Sequence, residues 1–180
     1  MNNYIFTSKR LGLRNWESSD IDLLFAINNN DHVMKFFPSK PNRDETKKFI
    51  ERMQNMYKKE QFCYFAVDLL KTKEFIGFIG LCKQTYKADF NPSIDIGWRL
   101  HPNFWYKGYA TEGAKACLEY AFHQLNINKI IAVAPKINIP SITVMKKIGL
   151  QKVKEFNHPL LKNNSRLQTC VLYEKRSLLV

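Results

Sequence analysis

The chain has 180 residues, of which 45% are hydrophobic, and a formal net charge of +12. These values are those of an ordinary globular domain, so we expect a single domain over residues 1–180. Residues 1–13 contain no apolar segment of signal-peptide length, and the apolar run from Phe75 to Cys82 is too short to cross a membrane. We therefore expect a cytoplasmic protein without a membrane partner.

The positive charge is concentrated in residues 101–180, which carry 12 basic and 4 acidic groups, a net +8. Such an excess attracts anions, and both nucleic acid and a small polyphosphate ligand fit it. The aromatic residues fall mainly at core positions rather than between basic residues, so we expect no nucleic-acid partner. The 4 cysteines and 4 histidines are scattered. Their spacing predicts reduced core thiols and no metal site.

The first third of the chain predicts a strand and two helices. Alternating apolar residues predict a short strand from Leu11 to Leu13. Ser18 and Ser19, followed by two aspartates, predict a capped helix that begins near Ser19. The spacing from Asn42 to Glu45 predicts a capping box at the start of a second, amphipathic helix.

Short apolar and aromatic runs begin after Gln61. Runs at 62–67 and 75–82 predict a hairpin, and a run bounded by Pro92 and Pro102 predicts a strand over 94–100. The remaining predicted elements are a helix from 110 to 125, a buried strand at 129–134, a helix over 141–148 that ends at Gly149, and strands near 152–156 and 169–175.

This order of elements predicts an α/β (α+β mixed) fold. We expect a central, mostly antiparallel, twisted sheet with helices on both faces and one parallel strand-helix-strand crossover. The parallel pair is expected to be the strands at 94–100 and 129–135, joined by a right-handed crossover.

The turn from Lys107 to Ala110 joins a predicted strand to a predicted helix. Its glycine lets backbone amides approach an anion, and the first amides of a helix have no intrahelical partners. The helix dipole adds partial positive charge at the same point, so a pyrophosphate would fit there. A glycine in a turn also has a purely steric explanation. The turn is neither a Walker A loop nor a Rossmann fingerprint.

Four segments in this chain, in this order, resemble the GNAT acetyltransferase superfamily and, within it, the RimJ/RimL-type branch. They are Arg10–Trp16, Asp95–Trp98, Trp105–Glu112, and Asn138–Ser141 together with Lys147–Leu150. The resemblance covers nearly the whole chain. It implies a GNAT-like fold and an acetyl-CoA-dependent N-acetyltransferase. In such an enzyme a primary amine attacks acetyl-CoA directly in a ternary complex, without an acyl-enzyme.

The resemblance also implies the site residues. Asp95 matches a family glutamate and would help to remove the amine proton, directly or through water. Met145 stands where many relatives have a tyrosine acid, so Ser141 is the expected proton donor. The implied cofactor-binding residues are Trp98, Lys107, Gly108, Tyr109, Ala110, Thr111, Asn138 and Ser141.

Structural explanations compete with some of these assignments. Asp95 also fits an exposed position on a half-buried strand, and Asn138 and Ser141 also fit helix capping. Two residues depart from the family pattern: Trp105 replaces a common Gln or Arg, and Tyr106 replaces a common glycine. We expect the bulky Tyr106 to narrow or redirect the loop, and both aromatic residues to form walls or packing contacts.

The acceptor stays open at this stage. Rim-type relatives act on protein N-termini, including those of ribosomal proteins, and other GNAT enzymes act on small amines such as polyamines or antibiotics. A non-catalytic acyl-CoA-binding protein on the same fold is a further alternative. We expect the acceptor to bind near residues 33–38 and the second helix, and the protein to be a monomer or a homodimer.

Overall fold

The computed structural model describes residues 3–177. Across these residues eight strands form one sheet in the order β1-β2-β3-β4-β5-β6-β8-β7. Only β5 and β6 run parallel, and the other neighbouring pairs are antiparallel. The strands are β1 (Tyr4–Thr7), β2 (Leu11–Arg14), β3 (Tyr64–Leu69), β4 (Phe75–Gln84), β5 (Ser93–Leu100), β6 (Lys129–Pro135), β7 (Gln151–Asn157) and β8 (Thr169–Arg176).

Five α-helices are found in the same stretch. They are α1 (Asp20–Asn28), α2 (Asp31–Met34), α3 (Arg43–Glu60), α4 (Tyr109–Glu119) and α5 (Ile139–Lys147). A π-helical turn, Tyr120–Gln124, continues α4, and 3-10 turns cover Pro102–Phe104 and Pro159–Leu161. No helix within residues 3–177 is long and apolar enough to cross a membrane.

The predicted sheet, its parallel pair and the main helices are confirmed. Two short elements, β1 and α2, were not predicted from the sequence. The capping box of α3 is confirmed: the Asn42 side chain accepts a bond from the Glu45 amide (2.8 Å), and the Glu45 side chain accepts one from the Asn42 amide (2.7 Å). The predicted cap of α1 is wrong, because Ser19 has helical backbone angles and no side-chain capping bond.

Helices cover both faces of the sheet. Consecutive side chains of a strand point to opposite faces. Phe78 of β4 lies opposite Arg99 of β5, and the Phe49 ring of α3 packs on Phe78 at 5.4 Å between centroids. On the other face, α4 approaches so closely that a Cβ added to Gly113 would lie 2.4 Å from the Ile79 Cδ1. The predicted arrangement of helices on both faces is therefore found.

A buried ion network ties β2 to β3 and α1. The guanidinium of Arg14 donates two bonds to Asp20 (2.7 and 2.8 Å) and two to Asp68 (2.8 and 3.1 Å). Its fifth N–H donates to the Asn15 carbonyl at 3.2 Å. The side chains of Arg14, Asp20 and Asp68 are only 11%, 2% and 8% exposed. All donors of this arginine are thus satisfied without solvent.

Candidate active site

A cavity of about 790 Å³ opens beside β5. The strands β5 and β6 pair where Asp95 lies opposite Ile131, and the β5 residues that line the cavity begin at Trp98. Trp98 and Arg99 point to opposite faces of the sheet, yet both line the cavity. The cavity therefore extends to both faces at the end of β5, between the N-terminal turns of α4 and α5 and the segment that follows α2.

The turn before α4 forms one end of the cavity. Gly108 is the N-cap of α4 and has a φ of +81°, in the left-handed region that favours glycine. The amides of Tyr109, Ala110 and Thr111 follow as the first three of the helix, and such amides lack intrahelical acceptors. These three residues and Gly108 all line the cavity. Their arrangement fits the pyrophosphate of a coenzyme A molecule.

An ion pair from the first hairpin supports this turn. Arg10 Nε donates to Glu112 Oε2 at 2.6 Å, and Ser8 Oγ donates to Glu112 Oε1 at 2.7 Å. Arg10 also donates to the Lys107 carbonyl at 3.1 Å. Burial opposes ionisation of Glu112, but the bonds from Ser8 and Arg10 outweigh it and lower the pKa of that carboxyl. Sequence reasoning missed Arg10 and Ser8, which lie about a hundred positions from Glu112.

The two aromatic residues before Lys107 have different environments. Trp105 is half-buried, and its Nε1 donates to the Leu100 carbonyl at 2.7 Å. Tyr106 has a φ of +60°, and its side chain is 95% exposed. The left-handed backbone explains why glycine suits this position. Because its ring points to solvent, Tyr106 borders the cavity without filling the turn.

The N-terminus of α5 forms the opposite wall. Asn138 caps the helix, and its Oδ1 accepts a bond from the Ser141 amide at 3.3 Å. Both residues also line the cavity, so capping does not remove them from it. Met145 is 2% exposed and lies in the core. The sequence missed Val144 and Lys147, which follow Ser141 on the cavity side at three-residue intervals.

Asp95 is held in a polar cluster on the face that α3 covers. Its Oδ1 accepts a bond from the Tyr64 hydroxyl at 2.7 Å, and its Oδ2 accepts one from Gln84 Nε2 at 3.1 Å. Burial raises the pKa of Asp95 to about 6, although these two bonds oppose the rise. A carboxylate with such a pKa suits a proton acceptor near neutral pH.

Two of the predicted site residues do not line the cavity. Asp95 does not line the cavity, and neither does Lys107, whose Nζ lies 5.7 Å from the centre of the Phe104 ring. The cavity wall contains the remaining predicted residues, Trp98, Gly108, Tyr109, Ala110, Thr111, Asn138 and Ser141. The catalytic roles of Asp95 and Ser141 stay predictions.

The cysteines lie away from the cavity. All four belong to the part of the chain that the structure describes, all are buried, and none lines the cavity. Burial raises the pKa of each thiol, to about 12 for Cys82 and about 11 for Cys170. These thiols are poor nucleophiles. Over residues 3–177, no group of three or more His, Cys, Asp or Glu side chains is placed to hold a metal ion.

The acetyltransferase (GNAT) domain model matches residues 10–151. The chain is 35% identical over 159 residues to YnaD of Bacillus subtilis (strain 168), an uncharacterized N-acetyltransferase, with 88% of this chain and 89% of YnaD covered. The structure also resembles a GNAT-family acetyltransferase from Bacillus anthracis, with a TM-score of 0.80, 26% identity, and 94% and 96% of the two chains covered. The chain therefore belongs to the GNAT family of N-acetyltransferases.

Two further solved structures share the fold. One is a ribosomal-protein-S5-alanine acetyltransferase from Vibrio fischeri, with a TM-score of 0.77, 18% identity and 96% of each chain covered. The other is a spermidine N-acetyltransferase from Vibrio cholerae in complex with CoA and spermine, with a TM-score of 0.74, 21% identity, and 93% and 95% of the chains covered. At these identities the likeness concerns the fold alone. The GNAT fold inferred from the sequence is confirmed, and the structures that share it include this ribosomal-protein acetyltransferase.

Proposed function

We propose that this enzyme transfers the acetyl group of acetyl-CoA to a primary amine by direct attack in a ternary complex. The observation that carries the proposal is the cavity that begins at the free amides of α4 and continues along β5 and α5. Acetyl-CoA supplies an activated thioester. Gly108, Tyr109, Ala110 and Thr111 would hold its pyrophosphate, and Trp98, Asn138 and Ser141 would contact the rest of the molecule.

Direct attack is favoured because the chain offers no suitable thiol for an acyl-enzyme. The four cysteines are buried, and their raised pKa values keep them protonated near neutral pH. Asp95 would accept the amine proton through water, since it lies outside the cavity wall. Ser141 lines the wall and would donate a hydrogen bond to the departing sulfur.

The acceptor belongs to one of two groups. A protein N-terminus is supported by the sequence resemblance to the RimJ/RimL-type branch, and a small amine is supported by the shared fold with the spermidine enzyme. Val33, Lys35, Phe36 and Phe37 contribute to the cavity wall, which supports the acceptor region expected at residues 33–38. No residue of α3, the second predicted helix, lines the cavity.

Cofactor binding is tested by thermal unfolding with acetyl-CoA and by release of free thiol in the presence of amines. A ligand that binds only the folded protein stabilises it by roughly 2.7 kcal/mol at 100 times its Kd. Gly108→Val should abolish this stabilisation, because valine is strained at a φ of +81° and would displace the backbone amides of the turn.

Gly149→Val is the matched control. Gly149 has a similar φ of +85° but lies outside the cavity wall, so the substitution introduces comparable strain without touching the proposed site. It should keep the acetyl-CoA shift even if its melting temperature is lower. The proposed function is wrong if acetyl-CoA at millimolar concentration does not stabilise the wild type. Binding without thiol release across peptides, polyamines and aminoglycosides would favour a non-catalytic acyl-CoA-binding protein.

A further inference from the structure

Arg99 is an arginine at the end of β5 whose charge has no carboxylate partner. Its Nη1 donates to Asn28 Oδ1 at 2.6 Å, and no ion pair among residues 3–177 includes it. Its Nε is buried and has no hydrogen-bond acceptor. Burial lowers the pKa of Arg99 to about 10, so the guanidinium remains charged at neutral pH. Its Nη2 makes no hydrogen bond within the described part of the chain and, unlike Nε, is not fully enclosed, so a ligand can reach it. A charged donor held in a largely buried position is costly unless a partner satisfies it.

The surrounding side chains fix this guanidinium at the cavity wall. Its carbon lies 4.2 Å from the centre of the Phe37 ring and 5.3 Å from that of Phe78. Asn28 is 2% exposed, and its Nδ2 donates to Thr46 Oγ1 at 3.1 Å, which turns its Oδ1 towards Arg99. The arginine is therefore oriented by α1, α3 and the segment after α2 before any ligand arrives. Such preorganisation reduces the entropy lost on binding.

The charges around the cavity favour an anionic group on the acceptor. The basic residues in its wall are His32, Lys35, Arg99 and Lys147. Within the chain from residue 3 to residue 177, no Asp or Glu contributes to that wall. A polyamine would bring several positive charges to a wall of the same sign, which is unfavourable. A carboxylate fits the planar guanidinium, because its two oxygens accept two parallel N–H bonds.

The same part of the wall is apolar apart from these charges. Val33, Phe36 and Phe37 line it next to Arg99, so an acceptor with an apolar body would also be accommodated. Asp95 lies four residues before Arg99 on the same face of β5, which corresponds to about 13 Å along a strand. An amine that reacts between these two residues would have its carboxylate several bonds from the nitrogen.

We infer that the acceptor is an amine that also carries a carboxylate, and that Arg99 binds this carboxylate. The inference rests on the proposed acetyl transfer and narrows its acceptor. The carboxylate has two chemical sources: the free carboxyl group of an amino acid, ω-amino acid or dipeptide, or an acidic side chain near the N-terminus of a longer peptide. Spermidine and other polyamines are poor acceptors for this enzyme.

Matched acceptors test the inference in a thiol-release assay. The first set contains amino acids, ω-amino acids and dipeptides, each beside its carboxamide. The second contains C-terminally amidated peptides that differ by Asp or Asn at the second or third position. Spermidine is the polyamine. At least one set should show a kcat/KM about 10- to 100-fold higher for the carboxylate member, as expected for a charge-assisted pair of hydrogen bonds. The set that shows the preference identifies the source of the carboxylate.

Variants of Arg99 show whether this side chain carries the preference. Arg99→Gln should raise KM for the carboxylate acceptor, remove the preference over the amide, and keep the acetyl-CoA melting shift. Arg99→Lys should restore only part of the preference, because an ammonium lacks the two parallel donors. Arg43→Gln removes the same charge from an exposed residue outside the cavity and should keep the full preference. Activity of Arg99→Gln towards amides checks that the variant is folded.

The outcomes separate this inference from the proposed function. Three results would contradict the inference while acetyl-CoA still binds. They are equal rates for carboxylates and amides, faster acetylation of spermidine, and the absence of any acceptor in either set. A preference that survives in Arg99→Gln also contradicts it. Failure of the wild type both to bind acetyl-CoA and to release thiol contradicts the proposed function, and the inference falls with it.

Discussion

Two buried polar regions of this protein differ in how their charges are paired. Around Arg14, five N–H donors meet Asp20, Asp68 and a backbone carbonyl, and the network is closed. Around β5, Arg99 has one side-chain acceptor and a buried Nε without any. Asp95, on the same strand, accepts hydrogen bonds from two neutral side chains, Tyr64 and Gln84, and neither donor is a cation. The closed network lies away from the cavity, whereas Arg99 lines it.

The difference separates the paired charges from the groups to which we assign functional roles. In the closed network every guanidinium donor has an acceptor and both carboxylates pair with the same cation, so the network fixes how β2, β3 and α1 pack and leaves no donor for a ligand. The uncompensated groups are less favourable for folding, but they retain the capacity to exchange a proton or to bind an ion. The pKa values follow this division. Burial raises the pKa of Asp95 to about 6 and lowers that of Arg99 to about 10, while the bonds to Asp20 and Asp68 outweigh burial and raise that of Arg14.

The largest expected effect is on catalysis by Asp95. Asp95→Asn should keep the acetyl-CoA melting shift and lower kcat by about 10²–10⁴-fold at neutral pH, for an acceptor whose chemical step limits the rate. The wild-type rate should rise as the pH passes about 6, where the carboxyl ionises. High pH should partly rescue Asp95→Asn, because it removes the amine proton without a base. Turnover and pH profiles measure both effects.

Ser141→Ala provides the comparison for that experiment. Its loss in kcat should be smaller, because solvent can protonate a departing thiolate, and high pH should not rescue it comparably. If Asp95→Asn retains near wild-type turnover where chemistry limits the rate, then water or another group is the base. Asp95 would then have a structural role only.

The next effect contrasts the two arginines in stability. Arg14→Leu leaves Asp20 and Asp68 buried without their cation and should lower the free energy of unfolding by about 3–5 kcal/mol. Arg99→Leu removes a charge that has no ionic partner and should lower it by only about 1–3 kcal/mol, chiefly because the buried Oδ1 of Asn28 loses its donor. Urea unfolding of both variants measures the difference. Equal losses would mean that the distinction between closed and open networks is wrong.

The smallest effect is a pH dependence of stability caused by Asp95. Its pKa is about 6 in the folded protein against an ordinary 3.8, so the folded state binds the proton more tightly than the unfolded state. This contribution to stability is fully present below pH 4 and is lost as the pH rises through about 6. Asp95→Asn should therefore be more stable than the wild type at pH 7, by up to about 3 kcal/mol, and similar to it at pH 4.

Urea unfolding between pH 4 and pH 7 measures that difference. Asp22→Asn is the control, because Asp22 is exposed and its bond to Arg43 lowers its pKa instead of raising it. The control should show no gain in stability at pH 7. A stability difference between Asp95→Asn and the wild type that does not vary with pH would contradict the assigned pKa shift.

Local patterns in the sequence predicted most of the fold. The capping box from Asn42 to Glu45, the hairpin of β3 and β4, and the parallel pair β5 and β6 all follow from residue spacing and element order, and the structure contains each of them. The failures are equally local. The Ser19 side chain makes no cap, while α1 still begins one residue later at Asp20. A capping residue type raises the probability of a helix start but does not fix its own side-chain bond.

The sequence by itself also determined the family and the glycine turn before α4. The four family-like segments identify a GNAT enzyme, and the domain match over residues 10–151 confirms it. The left-handed φ of Gly108 and the unpaired amides that follow it depend on neighbouring residues only. Seven of the nine predicted site residues line the cavity for the same reason. They lie at the N-termini of α4 and α5 and on β5, where the local sequence determines their positions.

Only the tertiary structure decided which charges are compensated. Arg14 and Arg99 look alike in the sequence, since each lies at or near the end of a strand and follows an apolar residue. Asp20 is six positions from Arg14, but Asp68 is 54 positions away, and Asn28 is 71 positions from Arg99. The Ser8–Glu112 bond beside the turn before α4 joins residues 104 positions apart. Residue spacing carries no information about such contacts, because they form when separate elements pack. The fold therefore pairs Arg14 with two carboxylates and leaves Arg99 at the cavity with a free donor.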